Sequence, residues 1–139
     1  MGGLTRLPDW QVRLQAWLHE IDGRPIEPGR HDCCLFGAGA VEAQTGIDLA
    51  APWRGRYTTM AGGQRLLRRA GHEDHAALIA AHLPDVHPAF AREGDLALVE
   101  TPQGPAVGVH QGSAIYVLTE AGRLGFAPIT PGLQMFRVG

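Results

Sequence analysis

Apolar residues recur at helical spacing through the first half of the chain and at every second position through its last third. From Pro8 to Asp22, the residues Trp10, Leu14, Trp17, Leu18 and Ile21 share one face of a 3.6-residue period. Pro8 and Asp9 suit a first turn, so a helix is predicted over 8–22 with that stripe in the core. Gly23 to Gly29 is a loop rich in helix breakers. Arg30-His31-Asp32-Cys33-Cys34 then leads into a run of small and apolar residues from Leu35 to Gln44. Asp32 is a good N-cap and Gly46 a good stop, which puts both cysteines in the first turn of a buried helix. Residues 47–57 lack a period and end in Trp53-Arg54-Gly55-Arg56-Tyr57. Thr58 or Thr59 caps a further helix to Ala70, a short one covers 74–82, and 83–93, with Pro84 and Pro88, reads as a connector.

The period then changes. Gly94-Asp95 opens a strand over Leu96–Glu100, Pro102-Gln103-Gly104 turns it, and Ala106–Gln111 returns. Further strands are expected over 114–118, 123–127 and 134–138. Helices first and an antiparallel sheet second is an α+β layout in one domain. It divides into a helix and loop (1–29), a helical part carrying Cys33 (30–93) and a sheet (94–139).

Composition narrows the function classes. At 139 residues the chain should bury about two thirds of its unfolded surface without a disulfide or metal. The net charge is -2, and all 12 basic residues are arginine, which suggests a GC-rich coding genome. That balance argues against nucleic-acid binding. No apolar stretch approaches the roughly 20 residues of a membrane span. Met1 to Arg6 is not followed by the apolar core of a signal peptide, which predicts a product made in the cytosol and retained or assembled there.

One place looks chemical. A thiol at a helix N-terminus meets the positive end of the backbone dipole, which favours the nucleophilic thiolate. Cysteine is equally a small buried hydrophobe, and adjacent cysteines make a strained disulfide. The histidines suggest two metal sets: His72, Glu73, Asp74, His75 and His82, or His31 with Cys33 and Cys34. Neither has the paired ligand spacing of a zinc site, so no metal or other cofactor is expected. Trp53, Arg54, Arg56 and Tyr57 form an arginine-aromatic cluster of the kind enriched at protein interfaces. The same residues would serve equally to pin a long loop.

The order Asp32-Cys33-Cys34-Leu35, then Gly94-Asp95-Leu96-Ala97-Leu98, then Ala106-Val107-Gly108-Val109 resembles the NlpC-type cell-wall cysteine peptidases, a papain-like family. The likeness spans Arg30 to Phe126. RHDCCLFGAGAVEAQTG followed by WRGRY is similar to small NlpC-like proteins encoded among phage and prophage tail genes. The resemblance implies a papain-like fold with Cys33 at the nucleophile position. It also implies that Ala106 stands where that family carries its catalytic histidine, and that 115–118 offers no orienting His, Asn or Gln. His110 lies on the same strand face as Ala106 but ~13 Å farther along. It and His31 are the candidates for a displaced base.

Three readings follow. The first is a catalytically degenerate NlpC-like domain serving as a structural component of a phage or prophage tail tip, located in the virion tail and bound to hub or baseplate proteins. The second is an active peptidoglycan endopeptidase or amidase with Cys33 as nucleophile and backbone amides for the oxyanion. The third is a host-derived thiol-dependent binding module.

Overall fold

The computed structural model describes residues 4–102 and 104–139, so Gln103 of the predicted turn lies outside the described residues. Four helices precede the main sheet: α1 (Trp10–Ile21), α2 (Cys33–Thr45), α3 (Met60–Arg69) and α4 (His75–His82). Six strands follow: β1 (Asp85–Val86), β2 (Leu96–Thr101), β3 (Gly104–His110), β4 (Ile115–Leu118), β5 (Leu124–Ala127) and β6 (Gln134–Phe136). They form one sheet in the order β1-β6-β2-β3-β4-β5, antiparallel throughout, and the architecture is α+β.

The helices begin and end where local chemistry directs. Asp32, Thr59 and Asp74 cap α2, α3 and α4 through side-chain oxygens. Gly46 closes α2 at φ +80°, a left-handed conformation that glycine adopts without strain. The predicted 83–93 connector requires correction, because it contains β1 and a 3-10 turn over Pro88–Phe90. Two residues are too short to show a period, and β1 exists only through its pairing with β6.

α2 is the centre of the molecule. Leu35, Phe36, Ala38, Ala40 and Val41 are all buried, which explains why its run is apolar on every side rather than striped. α1 covers it with Leu14, Leu18 and Ile21, while Trp10 and Trp17 pack at the margin, Trp17 stacked on Phe36 at 5.4 Å. The sheet covers it with Leu96, Val107, Val109 and Phe136. Alternate residues Ala97, Ile115 and Met135 form a smaller cluster of their own. Small residues on α2 set the approach distance. A Cβ at Gly37 would stand 2.6 Å from the Val107 side chain, and one at Gly39 2.5 Å from the Trp17 ring.

That spacing is testable by urea denaturation. Gly37→Ala should destabilise the protein by about 1–3 kcal/mol through overpacking. Adding Val107→Ala should recover part of that loss. Simple addition of the two costs would show that Val107 does not limit the approach.

Candidate functional site

The site is built on the carboxylate of Asp32, which is wholly buried. It accepts from the backbone N–H groups of Gly29 (2.8 Å), Cys34 (2.9 Å) and Leu35 (3.0 Å) and from the Tyr57 hydroxyl (2.7 Å). The loop before α2, the first turn of α2 and the segment after it therefore meet on one residue. Burial, reinforced by the bond to Asp32, pushes the Tyr57 phenol up, so it stays a donor through the physiological range.

Cys33 and Cys34 stand half-buried at this helix start as free thiols. The Cys34 S–H donates to the Cys33 sulfur and lowers the Cys33 pKa, against the opposing effects of burial and Asp32. The same bond, with burial, raises Cys34. The first proton therefore leaves Cys33. His75, the first residue of α4, brings Nδ1 to 3.8 Å from the Cys34 sulfur. Burial keeps its imidazole neutral by lowering its pKa. The other ring nitrogen, Nε2, is buried without a partner.

These groups line a cleft of about 880 Å³, with Met60 and Leu67 on its helical bank and Ala106, Val117 and Leu118 on its sheet bank. Ala106 thus shares the cleft with both thiols and offers it only a methyl group. His110 stands outside, at the far end of β3, where its Nδ1 accepts from the Gly112 N–H at 3.0 Å. His31 is buried before α2, also off the cleft, with its Nε2 unpartnered.

The arginine-aromatic cluster divides. Tyr57 belongs to the Asp32 network, and Arg54 grips Asp48 through two bonds of 2.8 and 3.0 Å. Trp53 packs on the core and meets the His72 ring edge-on at 5.9 Å, whereas Arg56 is exposed. Among the described residues no group of three His, Cys, Asp or Glu side chains could hold a metal ion. Nor is any helix among them long and apolar enough to cross a membrane.

Sequence reasoning weighed His75 only as a metal ligand and missed its place beside the thiols. Asp74 marks it as the start of a helix, as Asp32 marks Cys33, but the meeting of two helix starts is a tertiary fact. Together the cleft, its paired thiols and its lone imidazole define a thiol-bearing α+β domain whose sheet bank carries no histidine among the described residues. The chain belongs to the DUF6950 family, a domain of unknown function, whose model matches residues 5–138. No curated protein matches it.

Two predictions follow from these contacts. Asp32→Ala strands buried donors and should cost about 3 kcal/mol, while Tyr57→Phe should cost about 1 kcal/mol in the wild type and almost nothing beside Asp32→Ala. Equal cost of Tyr57→Phe in both backgrounds would remove the Asp32 bond as its cause. The second concerns pH. Burial holds His31, His75 and His110 below the ordinary 6.5, so the unfolded chain binds protons that the folded chain refuses. Stability from this source is complete above about pH 6.5 and is lost as pH falls through the lowered folded values. Urea midpoints should drop on acidification from neutrality, and less steeply in His75→Asn. An unchanged slope in that variant would assign the effect elsewhere.

Proposed function

We propose that the chain is a papain-like, NlpC-type domain that has kept its cleft and helix-borne thiol without a peptidase's base, and that it is a structural component of a phage or prophage tail tip or baseplate. Ala106 in the cleft carries this reading. A cysteine peptidase needs a group near the sulfur to take its proton and return it to the leaving amine, and a methyl group does neither. His110 does not substitute from outside the cleft. The sequence resemblance supports the tail assignment, with hub or baseplate proteins as partners and the virion tail as location.

A second reading has one observation in its favour. The lowered pKa of Cys33 and the presence of His75 in the same cleft suit an active peptidoglycan endopeptidase or amidase with Cys33 as nucleophile.

Thiol alkylation and hydrolysis of soluble peptidoglycan fragments separate the two. Cys33 should alkylate ahead of Cys34, with a midpoint below that of an ordinary thiol, and no fragment should be cleaved. Turnover that disappears in Cys33→Ala and His75→Ala but survives in His110→Ala would establish the enzyme and overturn the structural reading.

A further inference from the structure

We propose that the cleft is a docking groove for an extended, apolar segment of a partner protein carrying one arginine or lysine. This rests on the structural reading above, and it names the chemistry of the partner.

The shape comes from the sheet. Among the described residues the ladder between β3 and β4 consists of the pairs Val109–Tyr116 and His110–Ile115, so the assigned pairing ends at Tyr116. Gly104 to Ala106 form one bank of the opening and Val117 to Ala121 the other. Backbone direction alternates along a strand. His110 bonds to Asp95 and Gly94 on the β2 side, so the odd-numbered Pro105 directs its carbonyl toward β4. Thr119 donates to Arg123 on the β5 side, so Leu118 directs its N–H and carbonyl toward β3. Both residues line the cleft, and such groups recognise an extended chain by adding to a strand. The surrounding surface is mostly apolar, with Ile26, Met60, Leu67 and Val117 available to side chains.

The charge specifies the rest. The chain holds 12 arginines, yet none is among the described residues lining the cleft. Its charged members are Asp32, Asp74 and Glu120. Asp32 is occupied by its four donors, which leaves the exposed Glu120 and the second oxygen of Asp74, whose Oδ1 caps α4, to face a ligand. Two carboxylates beside an apolar floor favour a donor-rich cation. They oppose stem peptides of peptidoglycan, whose free carboxylates would call for arginine.

Two synthetic heptapeptides test this against the full chain. Both are blocked at each end, Val-Thr-Leu-Arg-Leu-Thr-Val and its counterpart with Glu at the centre. Amide NMR titration should show the arginine peptide binding about tenfold more tightly, with shifts concentrated at Ala106, Leu118 and Thr119. In the double variant Asp74→Asn, Glu120→Gln the preference should fall below about threefold, asparagine retaining the cap on α4. Absence of binding by the arginine peptide, equal or tighter binding of the glutamate peptide or of a peptidoglycan stem peptide, or shifts outside the cleft would each overturn the proposal. Peptidoglycan hydrolysis in the earlier assay would instead overturn the structural reading and leave this preference to be read separately.

Discussion

A single carboxylate without access to water organises the site. Isolated, a buried charge is costly enough that proteins rarely retain one. Asp32 is retained because four donors converge on it, three from backbone and one from Tyr57. Two of the donors, Gly29 and Tyr57, belong to stretches with little internal reason for their position. Residue 29 sits in a breaker-rich loop, and Tyr57 ends an irregular segment. The thiols, the loop that frames them and the aromatic segment therefore share one positional reference.

The opposite end of α2 is tied in a comparable way. Gln44, fully buried, donates to the Gly94 carbonyl at 2.8 Å and accepts from Arg6 at 2.9 Å. Arg6 continues to Asp95, a second buried carboxylate, which also accepts from the N–H groups of Arg92 and Val138. The central helix is thus anchored at each end by polar groups satisfied almost wholly within the protein. Between those anchors its small residues let the sheet and α1 approach closely. A helix held in this way gives the cleft a firm wall.

The sequence made the helical half legible because its signals are local. Asp32, Thr59 and Asp74 announce helix starts, and the α1 stripe announces a buried face. Most strands announced themselves by alternation. β1 did not, since two residues carry no period and its partner lies some fifty positions away in the chain. The cleft was half legible. Cys33, Cys34 and Ala106 were identifiable by motif, whereas His75 looked like an ordinary helix-start polar residue. Its closeness to Cys34 depends on how α4 docks, a matter of three-dimensional packing that no spacing encodes. The role of Tyr57 was open between two readings, a protein interface and the pinning of a long loop. Its hydroxyl meets Asp32 from 25 residues away, a contact of the second kind.

The place of β6 in the sheet has a consequence for the order of folding. Among the described residues β1 pairs with β6 and with no other strand, and β6 joins it to β2. During synthesis, helices and the β2–β3 hairpin can form from neighbouring residues as they emerge. β1 must wait with its backbone unpaired until residues 134–136 are made and inserted beside β2. β6 acts as a keystone, and until it is inserted the flank of β2 that it covers stays open to intermolecular pairing.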